Sequence, residues 1–190
     1  VGAFSGVIIA KTRMHPFIVT LAMMVGILGV ARLVAGQDTA VHPVYTGENA
    51  TADFEDLRAL IYRILPVPGL FFLAAVAIFH IVLKRSTFGR YVYAIGGNEQ
   101  AARLSGINVD RVKIAVYALS GMLTCLAGVL YVAQYRQGKP DAGLGLELDA
   151  IAAVVIGGTL LSGGRGTVIG TLFGALIFTT LTNVFTLNNL

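Results

Sequence analysis

Five stretches of this chain are apolar runs almost free of charge, and they leave few folds open to it. A helix needs about 20 such residues to cross roughly 30 Å of hydrocarbon. Inside that layer each backbone N–H and C=O must find its partner within the segment. Residues 17–35 (FIVTLAMMVGILGVARLVA) form the first complete span, with Arg32 near enough to its end to reach the interface. Residues 68–83, opened by Pro68, give a shorter span, and residues 113–135 and 167–187 give two more. Residues 149–163 (DAIAAVVIGGTLLSG) are apolar but short, so they either cross as a thin span or re-enter. Composition agrees: 56% of the residues are apolar and only 13% charged, against about 25% charged in soluble domains. The expected fold class is all-α, a polytopic transmembrane helical bundle.

Charge orients the spans. Residues 84–113 carry six basic residues (Lys84, Arg85, Arg90, Arg103, Arg111 and Lys113) against Glu99 and Asp110. Residues 36–67 carry five acidic ones (Asp38, Glu48, Asp53, Glu55 and Asp56) against Arg58 and Arg63. Lys and Arg stay on the cytoplasmic side. The loop of about 84–113 is therefore expected inside and that of about 36–67 outside, with Lys11 and Arg13 inside. The 113–135 helix then runs outward and leaves 136–148 external. Arg165 returns to the cytoplasm if 149–163 crosses and lies at depth if it only dips. At the start, VGAFSGVIIA precedes Lys11, the reverse of the order in a secretory signal. It reads as the tail of a membrane helix, and residues 1–190 as a fragment of one transmembrane domain.

The inner loop holds the most informative stretch, Gly89–Ile107 (GRYVYAIGGNEQAARLSGI). Asn98 is a good helix N-cap, and Glu99 puts a carboxylate in the first turn, where the helix dipole favours it. Gln100, Ala101, Ala102, Arg103 and Leu104 are strong helix formers. Gly106 stands where a helix can end in a left-handed residue. The spacing predicts a helix of about seven residues, roughly 10 Å long. It either merely joins two spans or serves as a docking element for a cytoplasmic partner.

Gly166, Gly170 and Gly174 recur every fourth residue and are expected on one helix face. Such a face suits close packing, within the chain or at a subunit or pore-lining contact. Ser162-Gly163-Gly164-Arg165-Gly166 should break the helix. Broken backbone at membrane depth is tolerated only against protein or a wet cavity, so Gly163 and Gly164 line a translocation path or else form a surface turn. Asp149, beside Glu147, and Asn183 are polar candidates for the same path; helix capping and interhelical bonding are their alternative roles. Cys125 is alone in an apolar run, which excludes a disulfide within the chain and points to packing. His15, His42 and His80 are isolated, and no metal or cofactor constellation is present. Asn49-Ala-Thr51 fits a glycosylation pattern, which means nothing if the source is bacterial. No G-x-x-x-x-G-K-[ST] phosphate loop occurs, since SGGRGT at 162–167 lacks the lysine.

The Glu99–Gly106 stretch resembles the coupling loop of ABC importer permeases, in which Glu-Ala-Ala is followed three residues later by Gly. Ala101, Ala102 and Gly106 fit, while Glu99 is displaced by the inserted Gln100. That departure is typical of the ribose/xylose/arabinose permease branch rather than the maltose type. Lys11–Leu21 (KTRMHPFIVTL), Phe88–Ile107 and Glu147–Gly174 resemble the same branch in order along the chain, and residues 45–65 resemble it least. His42-Pro43 together with ELDAIAAVVIGGTLLSGG looks closest to permeases proposed for galactofuranose. The resemblance implies a monosaccharide importer in the bacterial inner membrane, embedded in membrane lipid, with no nucleic acid partner. Two permeases, identical or paralogous, would form the pore, an external sugar-binding protein would deliver the sugar, and two cytoplasmic ABC ATPases would hold the coupling loops.

By the same resemblance Asn98, Glu99, Ala101, Ala102, Arg103 and Gly106 couple to the ATPase. Relatives are longer, so helices are expected to be missing at both ends. The chain has no tryptophan to stack on a sugar ring, and specificity is expected to lie in the binding protein. An ion-coupled carrier or channel would want charges near mid-membrane, and the spans nearly lack them. A membrane-embedded enzyme would want convergent catalytic groups, and none is found.

Overall fold

Prolines and capping residues set where the helices begin. The structure, a computed structural model, describes residues 1–12, 14–36, 42–43, 60–61 and 65–188. Arg13, the charged residues of the expected external loop (Asp38, Glu48, Asp53, Glu55, Asp56, Arg58 and Arg63) and Asn49-Ala-Thr51 lie outside the described residues. Among the described residues the chain is all-α. Its helices are α1 (Gly2–Thr12), α2 (Pro16–Val34), α3 (Val67–Arg85), α4 (Thr87–Gly97), α5 (Glu99–Leu104), α6 (Val109–Tyr135), α7 (Leu146–Ile156) and α8 (Val168–Leu187). Among the described residues, strands occur only as antiparallel pairs two residues long, β1 (His42–Pro43) with β4 (Gln137–Gly138) and β2 (Leu60–Ile61) with β3 (Leu65–Pro66).

Helices α2, α3, α6 and α8 are each long and apolar enough to cross a membrane. Pro16 opens α2 at a position where its missing N–H has no helical acceptor to lose. Helix α6 starts four residues before Lys113, because Asp110 in the first turn suits the positive end of the helix dipole. Residues 149–163 do not cross as one helix. Helix α7 stops at Ile156, where Gly157 and the left-handed Gly158 (φ +84°) turn the chain. Eleven residues rise about 16 Å, roughly half of the hydrocarbon layer.

Two units divide the chain. The first, Val1–Phe71 with Asp110–Ala142, holds α1, α2, the strand pairs and α6. Within it α1 lies tight on α6: a Cβ at Gly6 would stand 3.0 Å from Ile114 Cα, and Ser5, Gly6, Ile9 and Ala10 are buried. The second, Phe72–Val109 with Gly143–Leu190, holds most of α3, all of α4 and α5, and the pair α7 and α8. Helix α7 runs antiparallel on α8, with Ala153 opposite Gly174 and Gly157 opposite Gly170 and Thr171.

Most of the surface of the spans is left bare. At most 6% of any span's apolar window is buried within the chain, so these helices face lipid or further helices. Cys125 is exposed on α6, and among the described residues nothing covers its thiol.

Candidate coupling site

The chain leaves α3 by a tight turn. Ser86 Oγ donates to the Val82 carbonyl at 2.6 Å and accepts the Gly89 N–H at 3.1 Å, capping α4. A Cβ at Gly89 would collide with the Leu83 carbonyl, so the fold needs glycine there. No helix was expected over 87–97, and Gly89, Gly96 and Gly97 lower helix propensity there. The cap and the packing against α3 override that propensity.

Asn98 joins α4 to α5. Its N–H donates to the Ala94 carbonyl and closes α4. Its Oδ1 accepts the Ala101 N–H at 3.0 Å and opens α5. Along α5 the Arg103 guanidinium pairs with the Glu99 carboxylate at 3.2 Å, one helical turn apart. At the far end the Gly106 N–H donates to the Arg103 carbonyl at 3.0 Å and the Ile107 N–H to the Ala102 carbonyl at 3.1 Å. With Gly106 at φ +81°, these two bonds form a Schellman cap. The helix has six residues, one fewer than expected. Ala102 is turned inward and buried, while the Leu104 side chain is 91% exposed. An apolar group so fully presented on a rigid, doubly capped turn is available to a partner.

The broken segment after α7 meets this junction. Leu160 N–H donates to the Arg165 carbonyl at 3.1 Å, closing a tight loop. At its tip Gly163 (φ +90°) and Gly164 (φ +78°) adopt the left-handed conformation that glycine tolerates best. They lie backbone to backbone against Gly96 and Gly97: a Cβ at Gly96 would stand 2.7 Å from Gly164 N, and one at Gly164 would stand 2.9 Å from Gly97 Cα. Tyr93 Oη donates to the Gly166 carbonyl at 2.7 Å. A cavity of about 320 Å³ remains between the loop and α4, lined by Tyr93, Thr159, Arg165 and Thr171 among others. Arg165 therefore sits beside α4 in the second unit.

The other candidates are dispersed. Asp149 and Asn183 are exposed on α7 and α8, and neither lines that cavity. Asp149 caps nothing. Gly145 is the N-cap of α7, and the Glu147 carboxylate accepts its N–H at 3.0 Å. Gly166 does not share a helix face with Gly170 and Gly174, because Thr167 is the N-cap of α8 and Gly166 precedes it. Gly170 and Gly174 do face α7, and a Cβ at Gly174 would collide with the Ala153 carbonyl. Sequence reasoning missed Tyr93, Gly96 and Gly97; the signal available was a second diglycine to match Gly163-Gly164. It also missed Asp141, whose Oδ1 is buried with no hydrogen-bond partner, a polar atom in want of water or a ligand. Among the described residues no group of three or more His, Cys, Asp or Glu is placed to hold a metal ion.

A family model described as the permease component of the branched-chain amino acid transport system matches residues 1–188. The chain belongs to that permease family. It is 49% identical over 189 residues to the ribose import permease protein of Escherichia coli K12, covering 96% of this chain and 56% of that protein. The ribose import permease protein of Bacillus subtilis is 44% identical over 179 residues, 94% of this chain and 54% of its own length. The xylose transport system permease protein of Haemophilus influenzae is 52% identical over 123 residues, 64% of this chain and 32% of its own. The chain thus spans about half the length of the ribose permeases that it matches. No solved structure matches it. Membership of this permease family and four helices fit to span make the chain a multi-pass membrane protein.

Proposed function

We propose that this chain belongs to the membrane-spanning subunit of an ATP-driven monosaccharide importer of the bacterial inner membrane, and that α5 is its docking element for a separate cytoplasmic ABC ATPase. The subunit is a transporter component and not an enzyme. Its other partners are a second permease subunit and an extracytoplasmic sugar-binding protein. Relatives named for ribose and xylose support the substrate class, although the family description names amino acids.

One observation carries the coupling role. Helix α5 is fixed at both ends by Asn98 and Gly106 and shares Asn98 with α4, whose last turn is locked to the Gly163–Gly164 loop. A push on Ala101, Leu104 and their neighbours cannot be absorbed by a slack linker and reaches the α7–α8 pair. Nucleotide shifts the equilibrium between transport states only as far as the ATPase contacts them differently, and α5 supplies that contact. The basic 84–113 segment supports placing it in the cytoplasm. Asn98, Glu99, Ala101, Ala102, Arg103 and Gly106 form the docking turn, and Gly163 and Gly164 the joint behind it. An ion-coupled carrier would want charged residues near mid-membrane, and the spans nearly lack them, with His80 isolated in α3.

Two variants test the docking turn in the assembled transporter. Glu99→Lys reverses the first-turn charge and removes an exposed ion pair worth only about 0.3–0.5 kcal/mol, so folding is nearly untouched. Gly106→Val forces a β-branched residue into the left-handed region at a cost of about 1–2 kcal/mol. Both are expected to insert in the membrane normally yet lose ATPase co-purification or sugar uptake. Retention of wild-type co-purification and uptake by both contradicts the assignment.

A further inference from the structure

A second cavity, of about 500 Å³, lies at the ends of three helices in the second unit. His80, Leu83 and Lys84 from the last turns of α3, Arg90 and Tyr93 from α4, and Thr167–Ile169 from the start of α8 line it. Its polar wall is one-sided. Among the described residues it carries a lysine, an arginine, an imidazole and two hydroxyls, and no carboxylate. Neither Lys84 nor Arg90 has an ion-pair partner among the described residues. The remaining wall, Leu83, Val168 and Ile169, is apolar.

Depth narrows the ligand. Lys84 follows an apolar run long enough to span, so it marks the level at which hydrocarbon gives way to headgroups. Because Thr167 and Val168 line the same cavity, α8 begins at that level too. A pocket there, cationic on one side and greasy on the other, matches a phosphodiester attached to acyl chains better than a free, fully hydrated anion. Basic pockets between membrane helices recognise anionic headgroups through this combination.

We propose that this pocket is a binding site for the phosphodiester headgroup of an anionic phospholipid, with Lys84 and Arg90 as its cationic contacts and Leu83, Val168 and Ile169 against the start of the acyl chains. The site is independent of the coupling reading, since it needs only a membrane-embedded chain. Its position gives it a consequence: the lipid would bridge the end of α3, α4 and the start of α8, and so brace the base on which the α4–α5 junction stands.

The test uses the full chain in detergent, with retained lipid measured by native mass spectrometry after exposure to phosphatidylglycerol, to phosphatidylcholine, or to inorganic phosphate alone. Phosphatidylglycerol should be retained over phosphatidylcholine, and Lys84→Gln with Arg90→Gln should cut that retention by about tenfold. Arg85→Gln, which removes a neighbouring charge that does not line the cavity, should leave it unchanged. Thermal unfolding of each variant without lipid separates loss of a site from loss of the fold. Equal retention of both lipids, or an equal effect of Arg85→Gln and the double variant, overturns the proposal. So does phosphate binding to the lipid-free chain with no further gain from phosphatidylglycerol, because the site would then serve a soluble anion.

Discussion

The α7–α8 pair and α2 are both apolar segments containing glycine, and they use it in opposite ways. In the pair, Gly157, Gly170 and Gly174 bring two backbones together so closely that no Cβ fits between them. In α2, a Cβ at Gly26 or Gly29 would meet nothing within 4 Å among the described residues. Small residues at a helical spacing therefore announce close packing only where another helix of the same unit is there to meet them. Glycine in α2 is a helix residue of low propensity on a face left to lipid or further helices.

Substitution should separate the two cases. The largest effect is expected from Gly174→Val, whose Cβ would collide with the Ala153 carbonyl. The pair must splay apart, at a cost of about 1–3 kcal/mol, and the thermal midpoint in detergent should fall sharply. Tyr93→Phe comes next. It removes the 2.7 Å bond to the Gly166 carbonyl, worth about 1 kcal/mol net, and should lower the midpoint modestly while loosening uptake from ATP hydrolysis. Gly26→Ala should do least, with no change or a gain of up to about 1 kcal/mol from helix propensity. If Gly26→Ala instead weakens subunit assembly, then α2 presents a second close-packing face, and the contrast with α8 disappears.

The sequence made some of this structure legible and hid the rest for physical reasons. Spans at 17–35, 68–83, 113–135 and 167–187 were readable because length and apolarity alone decide them. Helix α5 was readable because its signals are local: Asn98 before the helix, Gly106 after it and strong formers between. Helix α4 was not, because three glycines speak against it and only Ser86 and the packing against α3 speak for it. The four-residue spacing from Gly166 misled, since Thr167 caps α8 and leaves Gly166 outside. The meeting of Gly96-Gly97 with Gly163-Gly164 is a tertiary contact between residues far apart in the chain, and no local pattern encodes it. Asp149 and Asn183 had only their polarity to recommend them, and the fold leaves both exposed.

The coupling account stands or falls on which side of the membrane α5 faces and on what covers it. A single cysteine at Ala101, an exposed position on α5, with Cys125→Ser removing the native thiol, can be probed with a membrane-impermeant maleimide in intact cells and in inverted vesicles. The expected result is labelling in inverted vesicles alone, suppressed when the ATPase is assembled. Labelling from outside intact cells, or equal labelling with and without the ATPase, would contradict the account.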